Sequence, residues 1–233
     1  LQDLSDSQIE ENQFKELNRL SVSYNKMLER LSEAFKIQRQ FTENAAHELR
    51  TPLSLMQIQL DIYNSGKHPG NDADTIQTIK MVTEQNERLS KMVKTLLDMS
   101  ELQTVGRDET IIVNALIDEV LADLEPLAQE KNIKLIGKCK DVNMVGSDIL
   151  IYRLVYNLVE NAIKYNHSGG QVIVEAYQKE KQVYLSVKDT GNGIPEELKE
   201  RVFEPFFRVD KSRSRELGGV GLGLALVNEI VRV

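Results

Sequence analysis

The stretch FTENAAHELRTPL, residues 41–53, places a histidine beside a glutamate within a strongly helical run and then interrupts the pattern with a proline. Apolar residues at helical spacing predict the buried face of this helix: Phe41, Ala45, Leu49, Leu53, Met56 and Leu60. His47 is two residues from both Ala45 and Leu49, about 200° around the helix from each. We therefore expect its imidazole to be exposed to solvent.

The neighbours of His47 suit a nucleophile. An adjacent carboxylate, here Glu48, can hold the proton of one ring nitrogen and leave the other nitrogen nucleophilic near neutral pH. Thr51 follows one helical turn later on roughly the same face, where its hydroxyl can orient a water. Pro52 removes one helical hydrogen bond and is expected to bend the helix just beyond these residues. A lone histidine is more often an ordinary surface or core residue, so it is these neighbours that favour chemistry.

The helical pattern extends in both directions. Residues 12–65 contain no glycine and only one proline, Pro52. Upstream apolar residues recur at coiled-coil spacing: Leu17, Leu20, Tyr24, Met27 and Leu31. After a turn-like segment, residues 64–72, a second periodic run carries Ile76, Ile79, Val82, Leu89, Val93 and Leu96. The two runs predict an α-helical hairpin, and two hairpins dimerise into a four-helix bundle.

Beyond Gly106 short β-rich runs alternate with helical ones, which predicts a mixed α/β domain with a boundary near residues 104–108. The expected strands are residues 109–113, 132–137, 170–177 and 182–189, and the expected helices are residues 114–131 and 147–166.

Composition narrows the functional classes. The chain has 233 residues and a formal net charge of −7, which disfavours general nucleic-acid binding. Its single cysteine, Cys139, excludes an internal disulfide framework, and its other two histidines, His68 and His167, sit in polar stretches without ligand spacing. No apolar run approaches the roughly 20 residues that span a bilayer.

Asn157, Asn161 and Lys164 are spaced four and three residues apart, so two amides and one ammonium group share a helix face. Amide oxygens can coordinate magnesium, and a lysine can neutralise phosphate oxygens. Standing alone, this pattern is better explained as a solvated helix face.

Two glycine-containing segments also have features that suit an anion-binding site. In KDTGNGIP, Asp189 can accept a hydrogen bond from an exocyclic amine, while Gly191 and Gly193 let the backbone turn closely around a flat ring. In GGVGLGLALVNEI, glycines lead into an apolar helix and aim backbone N–H groups at phosphate; they are Gly218, Gly219, Gly221 and Gly223. Their spacing fits neither the dinucleotide fingerprint nor a P-loop.

The segment FEPFFRVDKSRSRE, residues 203–216, joins an apolar hinge to a cationic stretch and predicts a lid over a nucleotide, although a charge run is more often a solvated loop. Its apolar and cationic members are Phe203, Phe206, Phe207, Arg208, Lys211, Arg213 and Arg215.

Together these segments resemble a known family. FTENAAHELRTPL is similar to the H box of bacterial sensor histidine kinases, and NLVENAIKYN, DTGNG, FEPFFR and GGVGLGLAL resemble their N, G1, F and G2 boxes in the usual order. FKELNRLSVSYNKMLERL resembles the second helix of a HAMP signal-relay module. The resemblance implies a HAMP helix and signalling coiled coil in residues 1–35, a dimerisation and phosphotransfer hairpin in residues 36–105, and an α/β two-layer sandwich ATP-binding domain in residues 106–233.

The resemblance also implies roles. His47, assisted by Glu48, takes the γ-phosphoryl group of ATP and passes it to an aspartate of a response regulator receiver domain, while Thr51 fills the position linked with dephosphorylating that regulator. Asn157 and Asn161 hold magnesium. The nucleotide site comprises Asn157, Asn161, Lys164 for the phosphates, Tyr165 for the adenine face, Asp189 for the adenine amine, Gly191, Gly193, Phe207, Arg208, Gly219, Gly221 and Gly223.

The family further implies a homodimer and a membrane-anchored sensor, of which this chain is a cytoplasmic portion without its transmembrane segments. The ATP-binding domain is expected to be incomplete at its C-terminus, because the closing strands of the fold are absent. Transfer to His47 implies a hinge near residues 104–108.

Two alternatives stay open. Gyrase-like and chaperone ATPases use a glutamate four residues before the magnesium-binding asparagine as general base; here that position is Asn157, which cannot take a proton, although Glu160 is only three residues away. The second alternative is a non-catalytic coiled-coil scaffold with a degenerate nucleotide domain. The intact His47, Asn161, Asp189 and glycine set argues against it.

Overall fold

The structure is a computed structural model that describes residues 15–64, 72–102, 104–210 and 219–232. The chain divides into two compact units between Ser54 and Leu55. Several predicted features lie outside the described residues: the turn at 65–71 with His68, the residues before Lys15, Gly218, and the lid cations Lys211, Arg213 and Arg215.

Helix α1 spans Lys15–Asn64 and contains Pro52. Its 50 residues correspond to about 75 Å. Because Pro52 has no N–H, it donates no helical hydrogen bond within α1. The upstream seam is exposed in the single chain, with Leu20 66%, Met27 55% and Leu31 42% accessible, so α1 presents an apolar stripe to its surroundings.

Helix α2 spans Asp72–Glu101. Tyr63 Oη lies 3.4 Å from Thr75 Oγ1, which links the end of α1 to the start of α2. The structure thus confirms the predicted helical hairpin. Ile76 and Ile79 are 64% and 60% exposed on α2, as expected for a hairpin whose second apolar face is not covered within one chain.

The α/β domain follows in the predicted order, with one additional strand. Its elements are β1 (Glu109–Ile112), α3 (Val113–Glu130), β2 (Lys134–Cys139), β3 (Asn143–Gly146), α4 (Asp148–Lys164), β4 (Gln171–Lys179), β5 (Gln182–Asp189) and α5 (Gly223–Arg232). Short 3₁₀ turns at Glu196–Leu198 and Arg201–Phe203 lie between β5 and α5. Strand β3, only four residues long and half-exposed, was not predicted.

The strands form two small sheets. β1 pairs with β3 in antiparallel register, Glu109 opposite Gly146. In the larger sheet β4 is central, parallel to β2 and antiparallel to β5. Helices α3 and α4 cover the larger sheet, and one core joins them to it. This arrangement confirms the predicted mixed α/β fold.

The core fixes the position of α4 on the larger sheet. Val155, Val159 and Ile163 follow at four-residue spacing on α4 and are fully buried. They pack in one cluster with Val172 and Val174 of β4. Burial of such side chains contributes about 1.5–3 kcal/mol each, so this face fixes α4 on the sheet and sets the direction of its other faces.

Candidate functional site

Asn157 and Asn161 meet the first residue of α5. The Nδ2 of Asn157 donates to the carbonyl of Arg153 at 2.7 Å, which orients the amide. A Cβ built on Gly223 would stand 2.9 Å from Asn157 Oδ1 and 3.6 Å from Asn161 Nδ2. The backbone at Gly223 therefore lies close to both amides, so the structure brings the two predicted asparagines to the N-terminus of α5.

Lys164, one turn further along α4, forms an ion pair with Glu160. Its Nζ lies 2.9 Å from Glu160 Oε1, and both side chains are largely covered. Burial would raise the pKa of the Glu160 carboxyl, but the ammonium groups of Lys164 and Lys91 outweigh it and hold that pKa below its usual range. Burial lowers the pKa of Lys164, with a further contribution from the charge of Lys91. Glu160 is therefore an ionised partner of two lysines.

The loop after β5 closes onto the end of α4. The backbone N–H of Asn192 donates to the carbonyl of Tyr165 at 3.4 Å, and its Nδ2 donates to the same oxygen at 3.3 Å. A Cβ on Gly191 would stand 2.6 Å from that carbonyl, so the loop requires glycine at this position. Tyr165 itself is 37% exposed.

Asp189 is the last residue of β5 and is exposed. Its Oδ1 accepts a hydrogen bond from the backbone N–H of Gly191 at 2.8 Å, which fixes the carboxylate at the start of the loop. Gly193 has φ +67° with open space around its Cα. Asp189, Gly191 and Gly193 are thus neighbours at the start of one loop.

The segment containing Phe206 is joined to the glycine loop before α5. The N–H of Phe206 donates to the carbonyl of Gly221 at 2.8 Å. The guanidinium carbon of Arg201 lies 4.4 Å from the centroid of the Phe207 ring, a cation–π geometry. Arg208, which directly follows Phe207, and Gly219, which lies two residues before Gly221, are both half-buried.

Sequence reasoning missed the residues that hold these loops together. Asn166 is 7% exposed; its Oδ1 accepts from Thr190 Oγ1 at 3.2 Å and its Nδ2 donates to the carbonyl of Gln171 at 3.2 Å. Thr190 Oγ1 in turn accepts from the N–H of Gln171 at 3.0 Å. The only sequence signal is an asparagine two residues after the end of a helix, a pattern that is also common in ordinary turns.

His47 belongs to the first unit, on α1. It is exposed, as its helical position predicted. Thr51 Oγ1 donates to the carbonyl of His47 at 3.1 Å, which holds the threonine side chain against the same turn. Glu48 is half-buried.

The donor set of α4 fits magnesium and a nucleotide. Amide oxygens are ligands that Mg²⁺ accepts, and a Cβ built on Gly193 would meet no atom within 4 Å, so the loop after β5 leaves room for a ligand there. Among the described residues no three His, Cys, Asp or Glu side chains cluster as metal ligands. None of the helices in the described ranges is long and apolar enough to cross a membrane.

Comparison with known families agrees with this geometry. Residues 37–105 match the His Kinase A (phospho-acceptor) domain. Residues 146–233 match the family described as histidine kinase-, DNA gyrase B- and HSP90-like ATPase.

Individual proteins agree as well. The signal transduction histidine-protein kinase ArlS of Staphylococcus aureus is 32% identical over 229 residues, 94% of this chain and 49% of ArlS. The chain thus spans about half the length of the curated relatives it matches. The Acinetobacter baumannii histidine kinase AdeS superposes with a TM-score of 0.65 at 25% identity, covering 80% of this chain and 86% of AdeS. A crystal structure of histidine kinase ThkA with response regulator protein TrrA gives a TM-score of 0.64 at 28% identity, covering 84% of this chain and 57% of that chain.

Proposed function

Because the chain belongs to the histidine kinase family, we propose that it transfers the γ-phosphoryl group of ATP to His47 and then to an aspartate of a response regulator receiver domain. The proposal includes the domain limits 1–35, 36–105 and 106–233 and the hinge near residues 104–108. The observation that carries the proposal has two parts. A histidine is exposed on the phospho-acceptor helix, and the ATPase domain of the same chain holds asparagine amides against a helix N-terminus.

In the proposed step, one ring nitrogen of His47 attacks the γ-phosphorus and forms a P–N bond. The bond to the bridging oxygen breaks, and ADP leaves with its electron pair. The other ring nitrogen keeps its proton, which the carboxylate of Glu48 holds. Phosphoryl transfer of this kind depends on in-line geometry and charge neutralisation more than on a strong base.

The nucleotide is assigned to the second unit. Asn157 and Asn161 would hold Mg²⁺ through their amide oxygens, and the metal would neutralise phosphate charge. Lys164 would contact the phosphates together with the backbone N–H groups that begin α5. Tyr165 and Asp189 would contact the adenine, with Gly191 and Gly193 shaping the loop. Phe207, Arg208, Gly219, Gly221 and Gly223 complete the set.

The surroundings of Glu160 argue against the hydrolase alternative. A general base for water must accept a proton near neutral pH. Glu160 is 8% exposed and its Oε1 is shared by two ammonium groups, which lower its pKa. The amide of Asn157 stands at the position where the hydrolases have their glutamate. Neither residue suits water activation, which favours transfer to a histidine.

A homodimer accounts for the exposed apolar stripes of α1 and α2. The accessible residues include Leu20, Met27, Leu31, Leu53, Ile58, Ile76, Ile79, Val93 and Leu97. Stripes of this length on two helices are larger than a soluble monomer normally exposes, and a second hairpin would cover them as a four-helix bundle.

Two further parts of the proposal concern the whole protein: dephosphorylation of the regulator and association with the membrane. Thr51 would orient water for dephosphorylation of the regulator, since its side chain is held one turn from His47. Its replacement by alanine would then slow loss of phosphate from a phosphorylated receiver domain while His47 is still labelled. The whole protein would be associated with the membrane.

The test is incubation with γ-labelled ATP and magnesium, followed by acid and alkali. The proposal requires label that survives alkali, disappears in acid and is absent from His47→Gln and Asn161→Ala. His167→Gln, which changes another exposed histidine, should be labelled like the unmodified protein. Release of phosphate without labelling would favour the hydrolase, and ATP binding with neither outcome would favour the scaffold.

A further inference from the structure

Helices α2 and α4 are joined by two ion pairs with matching spacing. Lys91 Nζ of α2 lies 2.5 Å from Glu160 Oε1 of α4, and Arg153 Nη2 of α4 lies 2.7 Å from Asp98 Oδ1 of α2. The two pairs are seven residues apart on each helix. The residue number increases from one pair to the other along α2 and decreases along α4. They therefore lie along one antiparallel seam, two helical turns apart.

An apolar cluster closes the far end of this seam. Leu102, directly after α2, packs with Leu150 of α4 and with Leu226 and Ile230 of α5, all nearly fully buried. The seam thus has an apolar end and a charged end. The charged end is the one that reaches the nucleotide face of α4.

At that charged end a single carboxylate oxygen pairs with two lysines. Glu160 Oε1 accepts from Lys91 at 2.5 Å and pairs with Lys164 at 2.9 Å, so the two ammonium nitrogens are within about 5.4 Å of each other by the triangle rule. The side chains of Glu160 and Lys164 are 11% and 15% exposed, whereas that of Lys91 is 52% exposed. Two cations and one anion leave the group with a net charge of +1.

The presence of Lys91 changes what Lys164 can offer a ligand. Without Lys91, the remaining pair of Lys164 and Glu160 is neutral, and the carboxylate cancels most of the attraction of Lys164 for an anion. With Lys91 in place, the carboxylate is shared and the positive potential at Lys164 is restored. Phosphate groups approaching this face would therefore meet a stronger field when α2 is docked on α4.

We propose that Lys91 is a positioning residue of the nucleotide site: seated on Glu160, it frees the charge of Lys164 for the phosphates of ATP, so that ATP binding and docking of α2 on α4 strengthen each other. The inference rests on the proposed function, in which Lys164 meets the phosphates. Reciprocity is required, because a contact that raises ATP affinity must itself be stabilised by ATP.

The experiment measures binding of Mg-ATP and of adenosine by calorimetry on the full chain. Lys91→Gln should weaken ATP binding roughly three- to tenfold at low salt, with a smaller effect at high salt because the half-exposed lysine is screened. Adenosine, which has no phosphate, should bind equally well to both proteins. Lys91→Arg should retain the affinity of the unmodified chain for ATP.

Two further variants separate charge from packing. Lys91→Gln combined with Glu160→Gln again leaves a net charge of +1 at Lys164, and should recover ATP affinity even though the Lys91 contact is gone. Lys94→Gln removes another exposed lysine charge from α2 without touching either ion pair of the seam, and should leave affinity for both ligands unchanged. Equal weakening of ATP and adenosine by Lys91→Gln, or no recovery in the double variant, would overturn the proposal.

The reciprocal arm follows hydrogen exchange of residues 92–102 with and without Mg-ATP. ATP should slow exchange there in the unmodified chain and have less effect in Lys91→Gln. A chain that binds no ATP at all would contradict the proposed function itself. If the chain binds ATP and becomes labelled, but Lys91→Gln does not change its affinity for ATP, the proposed kinase function stands and the proposed role of Lys91 is refuted.

Discussion

The backbone N–H of Phe206 donates to the carbonyl of Gly221 at 2.8 Å, and both residues have positive φ, +65° and +79°. Phenylalanine rarely adopts this conformation, so the strain at Phe206 must be offset by the contacts around it. This bond ties the aromatic segment after the 3₁₀ turns to the glycine loop that begins α5. The position of that loop, and with it the N-terminus of α5, depends on the junction.

Gly221→Ala tests the junction. A Cβ at Gly221 would stand 2.7 Å from the carbonyl oxygen of Phe207, in addition to the cost of positive φ. We expect a loss of stability of about 2–3 kcal/mol and weaker ATP binding. The control is Gly169→Ala, where φ is +81° but the space is open; it should cost about 1 kcal/mol and leave ATP affinity unchanged. Equal effects of the two substitutions would show that the junction does not position the loop.

Asn166→Ala should destabilise the α/β domain by about 2–3 kcal/mol. Its buried amide bonds three groups, the N–H of His167, the hydroxyl of Thr190 and the carbonyl of Gln171, and their removal leaves polar atoms without partners. The urea midpoint, followed by circular dichroism, measures the change. Gln182→Ala removes an exposed amide and should change the midpoint little. A midpoint in Asn166→Ala that matches this control would contradict the role assigned to Asn166.

The helical part of the fold was accessible from sequence because its causes are local. The glycine-free heptads predicted α1 and α2, and the spacing of Asn157 and Asn161 predicted their shared face, since both depend only on helix geometry. Exposure of His47 followed from the same rule.

Other features depend on partners far away in the chain. Strand β3 is too short and too exposed to carry a pattern. Lys91 and Glu160 are 69 residues apart, and a lysine on a polar helix position is indistinguishable in sequence from a solvated one. The positive φ of Phe206 could not be predicted either, because no sequence signal identifies a phenylalanine that tertiary contacts force into this region.

Acidification should release the charged end of the α2–α4 seam. The pKa of Glu160 is held below its usual value despite burial, with Lys164, Lys91 and the Tyr156 hydroxyl as its charged or titratable neighbours. A carboxylate whose folded pKa is lowered stabilises the fold above its unfolded pKa, and this contribution disappears as pH falls through the folded value. Urea midpoints should therefore decline below about pH 4.5.

Glu160→Gln should remove that part of the decline and lower stability at pH 7 by about 1–3 kcal/mol. Glu197→Gln, at an exposed glutamate, serves as the matched carboxylate control. If both variants follow the pH profile of the unmodified chain, Glu160 does not hold the seam.

Ile79→Glu should weaken the dimer. Ile79 is 60% exposed in the single chain, so a charge there costs a monomer little, whereas it would place an unpaired carboxylate inside a four-helix bundle. Sedimentation should show dissociation at concentrations at which the unmodified protein is dimeric. Lys80→Glu changes the adjacent exposed residue and should remain dimeric; dissociation of neither variant would argue against this face of α2 as the interface.

The most direct test of phosphoryl transfer to His47 is to locate the phosphate. Trypsin should release residues 40–50, a peptide whose single histidine is His47. After incubation with Mg-ATP and digestion at neutral pH, mass spectrometry should find the phosphate on this peptide and place it on the imidazole, with loss of the phosphate on brief acid treatment. Phosphate on Thr42 or on another peptide, or free phosphate with an unmodified peptide from a protein that binds ATP, would contradict the account.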